Sequence, residues 1–150
     1  MRLRAIFLSV LLGLGLAQPA RGEPWNDFID KYGRLPLDAV DRDYRGEYLA
    51  FWYFNEVYNG GHLQYFLNKD DYPWEETANA MEAMGAAEHA TIMRQAISRW
   101  RGTRRVAPRT VEEYVAIERQ GEFNDLDNAM YDLKPELEYY VYRSLVRKAD

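Results

Sequence analysis

Apolar and polar positions along this chain alternate with the period of helices. PWNDFIDKYG (24–33) reads as a short helix closed by Gly33. In DYRGEYLAFWYFNEVYNG (43–60) the apolar side chains Tyr44, Tyr48, Leu49, Phe51, Trp52, Tyr53, Phe54 and Val57 face nearly every direction around a helix. A helix apolar on all sides belongs at the centre of a fold. LAFWYF has the aromatic content of a strand, but its flanks carry no hairpin signal. GHLQYFLN (61–68) reads as a second, short helix beyond a Gly-Gly break. Pro73 can open the next one, whose Trp74, Ala78, Met81 and Met84 share a face, with Gly85 closing it. Ala86, Ala90, Met93, Ile97 and Trp100 repeat the pattern. Thr110 and Glu113 make a capping box for a helix to about Gln120. Asp127 can cap a short turn, and Pro135 can open a last helix with Leu137, Val141 and Leu145 as its buried stripe. The pattern predicts one compact all-α domain of about six or seven helices with short connections. RWRGTRRVAPR (99–109) is predicted to be a loop.

The first residues change this picture by removing themselves from it. Arg2 and Arg4 precede an apolar run, Ala5–Ala17, and then QPARGEP. That is the layout of a secretory signal peptide, and the run is short for a membrane span of about 20 residues. Small side chains at Ala20 and Gly22 place cleavage after Gly22, with Ala20 the runner-up and an uncleaved anchor the alternative. Residues 1–22 are therefore expected to be a leader and 23–150 the domain. Without Arg2, Arg4 and Arg21 the domain has 16 basic and 24 acidic side chains, a net charge of −8. Such a charge repels nucleic acid and favours basic protein surfaces as partners. The chain has no cysteine, which excludes thiol catalysis and leaves an exported fold to its core alone. The expected location is periplasmic or secreted, with no stable membrane anchor after cleavage.

EVYNGGHLQYFLN (56–68) concentrates polar groups inside the most hydrophobic region. Asn59 and Gly60 can adopt the left-handed conformation that ends a helix, and Gly61 removes a side chain where the next helix begins. Glu56 lies in the last turn of its helix, where the dipole disfavours a negative charge. The expectation is that its carboxylate turns to the free N–H groups opening the following helix. Gln64 and Asn68, four apart, share a face, while Leu63 and Phe66 reach the core. Two readings stand. In one, these groups satisfy the backbone of a tight corner; in the other, they line a pocket for a ligand or a partner's backbone.

This motif, Glu-Val-x-Asn-Gly-Gly-x-x-Gln-Tyr-Phe-x-Asn, resembles the signature of the DNA-mimic-protein-like family. The resemblance continues through MGAAEHA (84–90), FNDLDNAMYDL (123–133) and the final helix, covering about Tyr44 to Val146. It implies a compact helical domain, often dimeric; the family's best-known member uses surface carboxylates to imitate DNA phosphates and occupy a transcription factor's basic site. It also implies that Glu56, Asn59, Gly60, Gly61, Gln64, Phe66 and Asn68 define the fold rather than the acidic surface. Two features depart from that pattern: the leader, and the local excess of arginine at 99–109.

Motifs for other chemistry are missing. The only serines are Ser9, Ser98 and Ser144, with no nucleophile elbow around them. His62 and His89 belong to no zinc motif; His62 is expected at the corner and His89 on a solvated helix face. Asp125, Asp127 and Glu136 have the first, third and twelfth places of a calcium loop, but Ala129 and Met130 stand where an oxygen ligand and a glycine belong. Glu47 and Glu56 have no glycosidase spacing. No metal and no cofactor is expected. Arg99, Arg101, Arg104, Arg105 and Arg109 either balance nearby acids or form an anion-binding loop. Glu112, Glu113, Glu118, Glu122 and Asp125 are candidate contacts for a basic partner. The function expected is that of an exported, non-catalytic protein-binding domain. The alternatives are a cell-envelope hydrolase using Glu56 in a polar pocket, and a structural homodimer.

Overall fold

The computed structural model describes residues 23–150; the expected leader and its cleavage site lie outside them. Among the described residues the chain is all-α, with helices α1 (Glu23–Tyr32), α2 (Arg45–Asn68), α3 (Trp74–Ala83), α4 (Ala87–Gly102), α5 (Val111–Glu118), α6 (Asn124–Asp132) and α7 (Leu137–Ala149). Two 3-10 turns, Leu37–Ala39 and Arg42–Tyr44, join α1 to α2.

The helix that is apolar all round does become the centre. α2 packs against α3, α6 and α7; α1 covers α7, and α4 lies against α3 and α6. Tyr48, Leu49, Ala50, Tyr53 and Val57 from its first half are buried, as are Leu63, Tyr65 and Phe66 from its second. α3 and α4 pack against one another, and Ala78, Met81, Ala90, Met93 and Ile97 from the stripes read in the sequence are buried. Aromatic rings do much of the filling. Phe66 stacks on Trp100 at 4.9 Å and meets Trp74 edge-on at 5.0 Å. Such pairs add about 0.5–1.5 kcal/mol each beyond area burial.

Two polar devices tie the central helix to its neighbours. The Tyr58 hydroxyl donates to the Met130 carbonyl at 3.2 Å, and the Tyr131 hydroxyl donates to the Val57 carbonyl at 3.0 Å. Each tyrosine thus bonds the residue preceding the other, lacing α2 to α6. Glu47, buried on α2, accepts from Ser144 Oγ at 2.5 Å and from Lys148 Nζ at 2.9 Å, both on α7. A buried carboxylate is tolerable because it is paired and hydrogen-bonded.

The segment 99–109 departs from its expected loop. α4 runs to Gly102, so Arg99 and Arg101 are helical and only Thr103–Thr110 forms an irregular strap. Arginine is a good helix former, and cations in a last turn suit the helix dipole. Thr110 caps α5 by accepting from the Glu113 N–H at 3.2 Å. The reciprocal bond of the capping box is shifted by one residue: Glu113 accepts from the Arg109 N–H at 2.6 Å. α5 ends at Glu118, two residues short of Gln120.

Candidate functional site

The Gly-Gly break is a kink inside α2. Gly60 has φ −162°, ordinary extended backbone, and Gly61 has φ 74°, ψ −179°. The left-handed position is therefore Gly61, not Asn59 or Gly60 as the sequence suggested. Polar side chains press against the backbone of both glycines. A Cβ on Gly60 would lie 2.1 Å from Gln64 Oε1, and a Cβ on Gly61 would lie 2.5 Å from Asp127 Oδ2.

The polar groups bond one another in a pattern different from the expected one. Glu56 does not cap the second half of α2. Its Oε2 accepts from Gln64 Nε2 at 2.9 Å and from Asn68 Nδ2 at 2.8 Å, so the amides sharing a face both point back at one carboxylate oxygen. The cap is supplied by Asp127, whose Oδ1 accepts from the His62 N–H at 2.9 Å. Asp127 lies inside α6 and serves a helix elsewhere in the chain, not the short turn assigned to it from sequence. Asn59 is exposed, while Phe66 is buried in the aromatic cluster.

Asp127 also completes a buried relay. His62 Nδ1 lies 2.5 Å from Asp127 Oδ1, and His62 Nε2 lies 2.8 Å from the Tyr53 hydroxyl. This geometry suits Nδ1–H donating to the carboxylate and Nε2 accepting from tyrosine. Both ring nitrogens are thereby occupied. Burial pushes the Tyr53 phenol well above its usual value, so it remains a neutral donor and not a nucleophile. The relay resembles a catalytic triad in composition, but Tyr53 and His62 are fully buried. The free space at the corner is a niche of about 20 Å³ beside Gly60, Leu63, Ile117, Phe123 and Asp127, room for one water. A wider groove of about 530 Å³ between α1 and α2 involves Asp30 and Arg34 and none of the motif residues.

The other sequence-predicted residues meet each other. Arg99 grips Asp125 through two nitrogens at 2.5 and 2.9 Å, and its hydrogen bonds hold the Asp125 carboxyl down at about 2. Arg105 pairs with Glu122 and lies 4.3 Å over the Trp100 ring. Arg101 pairs with Glu75 at 2.8 Å, and Arg109 with Glu113 at 3.5 Å. Of the five arginines, Arg104 is exposed and without an acidic partner among the described residues, and of the five acids Glu112 and Glu118 lack a cation. His89 corrects another expectation. It is only 2% exposed, packs edge-on to Tyr140 at 5.6 Å, and its Nε2 has no hydrogen-bond partner among the described residues; burial lowers its pKa. Among the described residues no group of three or more His, Cys, Asp or Glu side chains could hold a metal ion.

The Tyr53–His62–Asp127 relay and the Glu47–Ser144–Lys148 cluster were not anticipated from sequence. Their partners lie 65 and about 100 residues apart, so no local spacing announces them. The one signal was that FNDLDNAMYDL, which carries Asp127, accompanied the glycine motif in the resemblance.

Compared with known proteins, the chain matches the family model described as DMP19-like protein over residues 38–148. No curated protein and no solved structure matches it. The match corrects the family assignment drawn from the motif. The DMP19-like family replaces the looser DNA-mimic-protein-like grouping, and the likeness extends beyond Tyr44–Val146 at both ends. From the first 3-10 turn to the last helix, the chain belongs to the DMP19-like protein family.

Proposed function

We propose that this protein is an exported, non-catalytic binding domain whose acidic surface engages a basic protein. The observation that carries this reading is the internal use of the motif's polar groups. Glu56 is held by Gln64 and Asn68, Asp127 by His62, and the niche beside Gly60 and Asp127 admits about one water. A hydrolase needs a carboxylate that can approach a substrate, and this arrangement favours a fold-defining corner instead. Family membership agrees with a DNA-mimic-like role, in which carboxylates stand in for phosphates. Glu112 and Glu118, exposed and without a basic partner among the described residues, are the first candidates from the expected acidic set. Glu113, Glu122 and Asp125 are already paired with arginine.

The test begins with the full chain carrying its own leader and an affinity tag at its C-terminus. Fractionation should place the product outside the cytoplasm. Pull-down from that compartment should retain a basic protein at low salt and release it at high salt, because exposed charges are screened over about 10 Å at 0.1 M. A Glu112→Lys/Glu118→Lys variant should retain less of it. Cytoplasmic retention would overturn the export half of the proposal. Absence of a partner, or retention indifferent to salt, would overturn the electrostatic half.

A further inference from the structure

The acidic surface and the arginine segment are usually opposing features of a charge map, but here one sits upon the other. Between Thr103 and Thr110 every residue is exposed except Arg105 and Pro108, which are partly covered. Val106, next to Arg105, is 83% exposed. Arg105 is therefore the strap's main anchor. Its guanidinium pairs with Glu122 through two nitrogens and lies over the rings of Trp100 and Phe123, at 4.3 and 5.6 Å. Its Nη1 donates to the Trp100 and Thr103 carbonyls, while Thr103 Oγ1 donates to Glu122 at 3.0 Å. Planar guanidinium, carboxylate fork and aromatic floor are the recognised ingredients of an arginine-binding seat.

The element tethered by this strap has a shallow hold on the core. None of the side chains of α5 is fully buried, and Tyr114 and Ile117 pack against the core only in part. Its far end is bounded by Gly121 at φ 66°, where an added Cβ would lie 2.6 Å from Asn124 Nδ2. A segment with few buried apolar groups opens at low cost.

We propose that Arg105 is an internal pseudo-ligand: the strap occupies a guanidinium seat formed by Glu122, Trp100 and Phe123, and a basic partner's arginine takes that seat when the strap lifts. This rests on the reading that the acidic surface receives a basic protein, and it adds the site and its regulation. While closed, the strap hides Glu122 and weakens apparent affinity by the fraction of molecules that are open. A strap closed about 80% of the time implies about a fivefold gain on its removal. Arg104, exposed at the strap's edge without an acidic partner among the described residues, supplies a second cation that repels an approaching basic surface until the strap moves.

The test uses the chain 23–150 and tri-arginine peptide as the probe, followed by tryptophan fluorescence at low salt. Arg105→Gln should bind the peptide about fivefold more tightly than the wild type, and Arg105→Gln/Glu122→Gln should lose that gain. Glu122→Gln alone frees the strap without offering a seat. It should speed hydrogen exchange across 103–118 with no increase in peptide affinity. Equal affinity of folded wild type and Arg105→Gln overturns the proposal, as does a gain that survives Glu122→Gln or a strap whose exchange is unchanged. A positive result with tri-arginine beside an empty pull-down would sink the proposed partner while leaving the seat. The reverse combination would sink the seat alone.

Discussion

Replacing Gly61 by alanine should be among the most damaging single-methyl changes available in this protein. The first cost is local. At φ 74°, ψ −179° the backbone lies in a region essentially reserved for glycine, where another residue is strained by about 1–3 kcal/mol. The second cost comes from Asp127. The new Cβ would stand 2.5 Å from Oδ2, 3.0 Å from Cγ and 3.2 Å from Oδ1, so the whole carboxylate must retreat. Retreat weakens its bonds to the His62 N–H and ring, each a charge-assisted contact of about 1.5–3 kcal/mol. Partial loss of these bonds plus the strain comes to about 4 kcal/mol. For a domain of this size that lowers Tm by about 15 °C. Gly60→Ala supplies the control. Its φ of −162° suits alanine, and the three atoms nearest the new methyl all belong to the Gln64 side chain, with the hard clashes at its mobile amide and Cβ at 3.2 Å, so the cost should be about 1 kcal/mol from disturbed amide bonds to Glu56. Circular-dichroism melts and urea titrations of the two variants and the parent give both numbers. A Gly61→Ala protein melting within about 3 °C of the parent would refute the reasoning, and so would Gly60→Ala proving equally costly.

Three further outcomes follow from other polar groups of the fold. His89 has a pKa below its usual 6.5 because burial disfavours the cation, so its contribution to stability is complete above about pH 6.5 and is lost as pH falls through its folded-state value; His89→Leu should flatten the decline in Tm between pH 7 and 5, measured by the same melts. Lys148→Met leaves the Glu47 carboxylate buried without its cation and should cost about 3 kcal/mol in urea unfolding, whereas Glu47→Gln, which removes the charge itself, should cost clearly less. Glu56→Gln keeps an oxygen acceptor for Gln64 and Asn68 and should lower stability by about 1 kcal/mol; unchanged melting combined with loss of an envelope-degrading activity would revive the hydrolase reading.

What could be read from the sequence was local. The all-round apolar surface of 43–60 put α2 at the centre, and two adjacent glycines marked its break. Periodicity placed α3 and α4, and Gly85 closed the former with φ 94°. The failures share a cause, which is that polar side chains were assigned to solvent or to their own helix. His89 lies three residues after Ala86 and four before Met93, on the buried stripe itself, yet its polarity argued for the surface. Glu47 is buried because Ser144 and Lys148, one turn apart on α7, converge on it. The arginines of 99–109 looked like loop composition, but the first two extend α4 because Asp125 and Glu75 wait on neighbouring helices. The glycine corner was located correctly and its bonds were misassigned, since the cap came from α6.

That borrowed cap bears on how the protein is made. A nascent chain emerges N-terminus first, and domains tend to fold as units. The second half of α2 is complete by residue 68, but the carboxylate that terminates it at His62 arrives with residue 127, after α3, α4 and α5. Closing so long a loop is entropically slow, so the glycine hinge stays unlatched through most of synthesis. The unfinished polypeptide therefore lacks its central brace until its last third appears, so truncation anywhere before α6 leaves the hinge without its latch.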